Sequence, residues 1–234
     1  MIPTPPRARG RDLFARSALA TILILPMWPS TRAIAGILTG HLELGGTRPA
    51  QPRYPSARGT PRVEEAVVWL ERIPGPVEHR LVAGPWRWFW ERRPEPLRPR
   101  VLEYGVRFFP RVLAVAAGSV VTIRNLDSVW HGTFSVSPAH PFEVGKRPPG
   151  SVDTLVFART GLVPLRCDIH PDMVGYVVVT PNHALTRPDP TGSWRLPELP
   201  AGGYVVHAWH PERGELHRSV TVPERGPTGV DLRW

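Results

Sequence analysis

The abundance of proline restricts the secondary structure of this chain more than any other feature. The sequence has 30 prolines among 234 residues, which is well above the usual level of about 5%. Because proline has no backbone N–H and a fixed φ angle, this content disfavours long helices and favours short strands joined by fixed turns. We therefore predict an all-β fold.

Short apolar runs separated by turn residues fill the middle of the chain and are typical of strands in a β-sandwich. Five such runs are predicted as strands: residues 112–115, 120–123, 151–158, 162–166 and 176–179. Together they predict one β-sandwich domain over residues 101–180.

Residues 1–35 have the pattern of a secretory signal. Several arginines precede an apolar run of about a dozen residues, and Ala33-Ile34-Ala35 matches a signal-peptidase site. The apolar run is shorter than the roughly 20 residues that span a bilayer as a helix. We expect cleavage after Ala35, a periplasmic or secreted protein, and no membrane span in the mature chain.

Residues 181–234 have a strand pattern of their own. Turns at 189–192 and 200–203 separate predicted strands at 193–196, 204–210 and 216–222. This hairpin pattern resembles carboxypeptidase regulatory-like domains, which are small transthyretin-like β-sandwiches. The resemblance places an early strand of such a domain near residues 66–70. It raises the hypothesis that residues 36–75 pair with the tail and that residues 101–180 are inserted between them.

Residues 76–100 are rich in proline and tryptophan, and we interpret them as an extended connector with polyproline character. Within this segment lies the run Trp86-Arg87-Trp88-Phe89-Trp90. It has two interpretations: an aromatic surface that docks a redox partner or a glycan, or a segment that covers an open end of the sandwich.

The residues with the clearest chemistry lie within seven positions of each other. Cys167 is the single cysteine of the chain, His170 follows three residues later and Met173 three residues after that; His131 lies 36 residues upstream of Cys167. Two imidazoles, one thiolate and a weak axial thioether are the ligands of a blue-copper site. Zinc is the chemical competitor, but an adjacent methionine has no role in zinc sites. We predict one type 1 copper ion per chain.

Composition excludes other classes of function. Removing residues 1–35 takes away five arginines and one aspartate, so the formal charge falls from +9 to +5 without any basic block. A nucleic-acid interface is therefore not predicted. No paired carboxylates or nucleophile–base pattern indicate an enzyme. Seven further histidines have no ligand spacing and are interpreted as surface residues: His41, His79, His140, His183, His207, His210 and His217.

Residues 101–180 resemble the cupredoxins, and the C-x-x-H-x-x-M spacing is similar to that of amicyanin. Asn125, Asp127 and residues 142–145 resemble a bacterial group of plastocyanin-like proteins that is often labelled methylamine utilisation protein and commonly carries the regulatory-like tail. The resemblance implies a Greek-key sandwich with His131, Cys167 and His170 as equatorial ligands and Met173 as the axial one. It also implies that His170 lies near the surface as the electron port.

One position departs from the cupredoxin pattern. Cupredoxins often have asparagine directly after the first histidine ligand, where it holds two loops together, but this chain has Gly132. Trp130 and Phe134 flank the same loop, where they could shape a docking face or pack in the core.

Three functions remain open from the sequence. The first is a periplasmic electron carrier that works with an unidentified redox protein. The second is a periplasmic protein that stores or delivers copper without shuttling electrons. The third is a structural or glycan-binding sandwich. The redox partner, the reduction potential and the oligomeric state are not predicted.

Overall fold

The computed structural model describes residues 36–45, 61–83 and 99–234. The predicted signal at residues 1–35 and the aromatic run at residues 86–90 lie outside the described residues. No helix in the described part of the chain has the length and apolar composition that a membrane span requires.

Strands form nearly all of the regular structure in the described ranges, so the predicted all-β fold is confirmed. The strands before residue 181 are β1 (Ile37–Glu43), β2 (Val67–Leu70), β3 (Arg100–Glu103), β4 (Phe108–Phe109), β5 (Val112–Ala116), β6 (Ser119–Asn125), β7 (Thr133–Ser135), β8 (Phe142–Glu143), β9 (Val152–Phe157), β10 (Gly161–Cys167) and β11 (Val174–Thr180). The later strands are β12 (Leu185–Thr186), β13 (Ser193–Arg195), β14 (Gly202–His210), β15 (Gly214–Val222), β16 (Pro227–Gly229) and β17 (Leu232–Arg233). A 3-10 turn (Val63–Glu65) and helix α1 (Gly75–Ala83) complete these elements.

The first sandwich consists of two mixed sheets formed by β3 to β11. One sheet has the strand order β5-β11-β10-β7-β8, and the other has the order β4-β3-β6-β9. Val121 and Phe157 from the second sheet meet Val163, Leu165 and Val177 from the first in one buried cluster. Burial of each such side chain stabilises the fold by about 1.5–3 kcal/mol. This core fixes the strand ends from which the candidate site is built.

The second sandwich joins the beginning of the described chain to its end. Strand β1 pairs with β13, β16 and β17, and β2 pairs with β12 and β14. Gly40 allows the close packing of β1, since a Cβ atom there would lie 1.9 Å from the carbonyl oxygen of Val230 and 2.5 Å from the ring of Trp194. Strands from both ends of the chain thus bury one shared core, which includes Leu38 and Leu199.

The two sandwiches pack against each other and belong to one compact unit. Tyr176 of β11 and Trp209 of β14 meet edge to face, with ring centroids 5.3 Å apart, inside a cluster of residues from both sandwiches. Arg111 adds an ionic contact, because Nη1 lies 2.5 Å from Glu65 Oε2 and 3.6 Å from Glu212 Oε1. Apolar packing and ion pairs therefore hold the sandwiches together.

The predicted extended connector at residues 76–100 is wrong over its first part, where helix α1 occupies Gly75–Ala83. Pro76 lies in the first turn, where a backbone N–H has no intrahelical partner to lose. The next proline is Pro85, so the intervening residues can complete the helix. Val77 anchors the helix in the core of the second sandwich, and Glu78 accepts hydrogen bonds from His183.

His210 should make folding stability depend on pH. The interpretation of His210 as a surface residue is wrong, because its fully buried ring donates from Nε2 to Arg62 O and accepts from Glu212 N–H at Nδ1. Burial, together with Arg111 and Arg213, lowers the pKa of His210 to about 4 from 6.5. His210 is therefore protonated below about pH 6.5 in the unfolded chain, but only below about pH 4 in the folded chain. We expect unfolding to become easier by about 3 kcal/mol as the pH falls through this window.

Denaturant unfolding at several pH values between 7 and 4 would measure this effect. His210→Gln should flatten the pH dependence, whereas the same change at the exposed His79 should not alter it. Equal pH dependence in the wild type and His210→Gln would show that another group is responsible.

Candidate metal centre

The predicted ligands lie on two loops that meet at one end of the first sandwich. His131 lies between β6 and β7, Cys167 ends β10, and His170 and Met173 lie between β10 and β11. Because β7 pairs with β10 and places Thr133 opposite Cys167, the two loops are brought together across 36 residues of sequence. The pairing of β7 with β10 therefore places His131 beside Cys167 and His170.

Three potential ligand atoms form a compact triangle. The Nδ1 atoms of His131 and His170 are 3.1 Å apart, and Cys167 Sγ lies 3.8 Å and 3.6 Å from them, respectively. An ion near the centre of this triangle would lie about 2 Å from each atom, close to the zinc bond lengths of about 2.0–2.1 Å to imidazole and about 2.3 Å to thiolate. His131 and Cys167 are buried, and His170 is half-buried. This group can hold a metal ion.

Met173 lies at the buried end of the same loop, with 1% of its surface exposed. Its backbone N–H donates to the carbonyl oxygen of His170, which closes the turn. Its side chain belongs to the same apolar cluster as Cys167. The structure thus brings His131, Cys167 and His170 together, while the assignment of Met173 as a fourth ligand stays a prediction.

Asp127 supports His131 from the side opposite the ligand triangle. Its Oδ2 atom lies 2.9 Å from Nε2 of His131. Although burial alone would raise it, hydrogen bonds from Val106 N–H, His131 and Gly105 N–H hold the pKa of Asp127 below its usual value. The ionised carboxylate accepts a hydrogen bond from Nε2–H of His131. The lone pair of this ring is then on Nδ1, where it can bind a metal.

The turn that holds Asp127 carries backbone strain. Gly105 and Val106 have φ angles of 62° and 55°, and the left-handed region is unusual for a β-branched residue such as valine. Such a conformation costs on the order of 1–3 kcal/mol. The backbone N–H groups of both residues donate to Asp127, and these hydrogen bonds offset part of the cost.

Gly132 and Asp168 connect the two ligand loops. Gly132 N–H donates to Cys167 Sγ over 3.4 Å, and Asp168 N–H donates to the carbonyl oxygen of Gly132. A Cβ atom at position 132 would lie only 2.0 Å from Asp168 Oδ1. The side chain of Asp168 thus occupies the space that a side chain at 132 would need, and it would have to move to admit one.

Two acidic residues of this region were not assigned a role from the sequence. The sequence links Asp127 only to the plastocyanin-like resemblance, although its position four residues before His131 is a signal that the two side chains could meet. Glu103 is buried in β3 and accepts a hydrogen bond from the Thr133 hydroxyl. Burial raises the pKa of Glu103, against the opposing effects of Thr133 and His131. Nothing in the local sequence distinguishes Glu103 from a surface glutamate.

Exposed apolar side chains lie on the loops around this centre. Trp130 is 53% exposed and Tyr104 is 67% exposed. Leu126, Val129 and Ile169 are exposed as well. Of the two aromatic residues predicted to flank the His131 loop, Trp130 therefore faces solvent, whereas Phe134 is half-buried in β7. An apolar surface of this kind is a common feature of protein interaction sites.

No family model and no curated protein match the chain. A Cu-containing nitrite reductase from Thermus scotoductus SA-01 is 29% identical, with a TM-score of 0.35, over 37% of this chain and 23% of that one. An amicyanin in its reduced Cu(I) form is 22% identical, with a TM-score of 0.34, over 37% of this chain and 86% of that one. A purple cupredoxin from Nitrosopumilus maritimus is 24% identical, with a TM-score of 0.32, over 35% and 99%. The chain thus spans less than a quarter of the reductase.

Proposed function

We propose that this chain is a type 1 copper protein that carries electrons in the periplasm or outside the cell. The triangle formed by Nδ1 of His131, Nδ1 of His170 and Sγ of Cys167 carries this proposal. A His₂Cys trigonal set with a weak axial methionine is characteristic of blue-copper electron-transfer sites. The location rests on the signal-like pattern of residues 1–35.

The ligand chemistry favours copper over zinc. Structural zinc takes four ligands in a tetrahedron, and catalytic zinc takes three protein ligands and an open position. In the described ranges, no carboxylate and no further imidazole joins His131, Cys167 and His170. Met173, as the fourth ligand, would complete the set with a thioether, which suits Cu(I). Four protein ligands leave no open position for a substrate, so we propose electron transfer rather than catalysis.

The surrounding residues would keep the site unchanged through a redox cycle. Bound copper would supply a centre that takes up and releases one electron. Asp127 fixes the ring of His131, and the Gly132 N–H hydrogen-bonds the sulfur of Cys167. The core of the first sandwich excludes water from Cys167, which is 4% exposed. Preset ligands and a dry surrounding keep rearrangement small and set the reduction potential.

The electron would leave through His170, which is the half-exposed ligand of the three. The exposed side chains of Tyr104, Trp130 and Ile169 lie on the neighbouring loops. We propose that this apolar surface docks a periplasmic redox protein in a short-lived complex. Small interfaces are typical of such electron-transfer encounters.

Copper storage or delivery is the second candidate, because the half-exposed His170 could pass the metal to an acceptor. A chelator challenge separates the two functions. An electron carrier should keep its copper through repeated cycles of ascorbate reduction and reoxidation with a Cu(I) chelator present. Loss of copper within the first cycles, without a reversible voltammetric wave, would contradict electron transfer and support delivery.

Met173→Leu tests the axial ligand. We expect the variant to keep its colour and to have a higher reduction potential, because a weak donor to Cu(II) is lost. The reduction potential should rise by about 60 mV for each tenfold decrease in the affinity for Cu(II) relative to that for Cu(I). Leucine nearly conserves the volume of this buried side chain, so stability should fall by less than about 1.5 kcal/mol.

Protein-film voltammetry would measure the shift. Leu165→Met is a matched control, because it makes the reverse change in the same buried cluster and should leave the potential unaltered. An unchanged potential in Met173→Leu would remove Met173 from the ligand set.

A further inference from the structure

Two histidines and two glutamates lie near each other on the second sandwich. In the pairing of β14 with β15, His207 and His217 are direct partners, and their ring centroids are 5.7 Å apart. On the other side of His207, Trp69 of β2 is its direct partner and stacks on its ring. Three rings therefore form a row across neighbouring strands. Direct partners have Cβ atoms about 4.5–5.5 Å apart, so the two imidazoles can approach one ion.

The two nitrogens of His207 have different surroundings. Nδ1 lies 2.8 Å from Glu215 Oε1, so in the neutral ring it carries the proton and donates to this carboxylate. The lone pair is then on Nε2, which is shielded from solvent and makes no hydrogen bond with any described residue. Glu71 Oε2 lies 3.8 Å from Nε2. A lone pair and a carboxylate that face each other repel unless a cation lies between them.

The spacing of these two atoms fits a shared metal ion. A separation of 3.8 Å is too long for a hydrogen bond between nitrogen and oxygen. Bonds of about 2.0–2.2 Å from one metal to imidazole nitrogen and to carboxylate oxygen span it at an angle of about 130°. His217 is exposed on β15, so its side chain can turn to supply a third ligand.

We propose that His207, His217 and Glu71 form a second metal site that binds a divalent cation of borderline softness, such as Zn(II). Imidazole and carboxylate together suit such ions. Glu215 is the supporting carboxylate that fixes the His207 ring. The site shares no residue with the group around Cys167, so it stands independently of the copper assignment.

Calorimetric titration of the copper-loaded full chain with Zn(II) tests this site. We expect one equivalent of Zn(II) to bind, and we expect His217→Gln and Glu71→Gln each to weaken binding by tenfold or more. Glu215→Gln should weaken it less, because only the support of the ring is lost. His183→Gln is the matched control: His183 also contacts a glutamate, Glu78, but it is not one of the proposed ligands. That variant should bind Zn(II) as the wild type does.

Repeating the titration with Cys167→Ser separates this site from the copper centre, since Zn(II) binding on the second sandwich should persist there. Wild-type affinity in His217→Gln would overturn the proposal. The absence of Zn(II) binding in the wild type would overturn it as well. If NMR then shows both ring nitrogens of His207 protonated at neutral pH, a proton is the cation between His207 and Glu71.

Discussion

Cys167→Ser should abolish the intense absorption of the copper-loaded protein in the visible range. The thiolate is the source of the charge-transfer band in the proposed site, and a serine hydroxyl stays protonated at neutral pH. Sγ also forms two sides of the ligand triangle, 3.6 Å and 3.8 Å long, so the copper would lose its strongest anionic donor. We expect Cu(II) affinity to fall by more than the 10- to 100-fold that loss of a supporting residue costs.

Absorbance and competition with a chelator of known affinity would measure both effects. His140→Gln is the control, because His140 lies in the same sandwich, packs at a tilt against Phe157 and is outside the ligand group. It should keep the band and the affinity. A Cys167→Ser variant that remains coloured would refute the ligand assignment.

Ending the chain at Pro181 should leave residues 36–75 unprotected against proteolysis. All the observed partners of β1 and β2 lie beyond this point, in β12 to β17. Leu38, Leu42 and Leu70 would lose their cover, and each contributes about 1.5–3 kcal/mol when fully buried. That sum is comparable to the net stability of about 5–15 kcal/mol of a whole domain.

Limited proteolysis followed by mass spectrometry would locate the cleavage sites in the truncated and full-length proteins. The first sandwich has a core of its own, whereas helix α1 packs against the second sandwich through Val77, so cuts in the truncated protein should concentrate before residue 84. The full chain under the same conditions is the control. Unchanged resistance of residues 36–75 would show that these strands do not depend on the tail.

Local sequence patterns predict the ligand spacing and most of the longer strands of this protein. The spacing of Cys167, His170 and Met173 lies within one loop, so it could be interpreted before any strand pairing was known. The longer predicted strands agree with the observed ones to within about two residues at each end. Very short strands such as β4 and β8 have too few residues to show alternation, and they depend on their neighbours for pairing.

The remaining features of the fold and of the sites depend on which distant strands pair and in which register. Strand β11 reads as a continuous apolar run because both of its faces are covered: Val177 and Val179 face the core of the first sandwich, while Tyr176 and Val178 face the second. The sequence of β11 cannot tell what covers its second face. In the same way, His207 and His217 become neighbours through the register of β14 and β15, which their spacing along the chain does not predict.

The central claim is that His131, Cys167 and His170 hold a redox-active copper ion. Its most direct test is the visible absorption and EPR spectrum of the purified protein titrated with Cu(II). We predict an intense blue or green thiolate-to-copper band at one equivalent, with narrow copper hyperfine splitting, that ascorbate bleaches and reoxidation restores. A colourless protein, or one with only the weak bands and wide splitting of ordinary tetragonal copper, would contradict the claim.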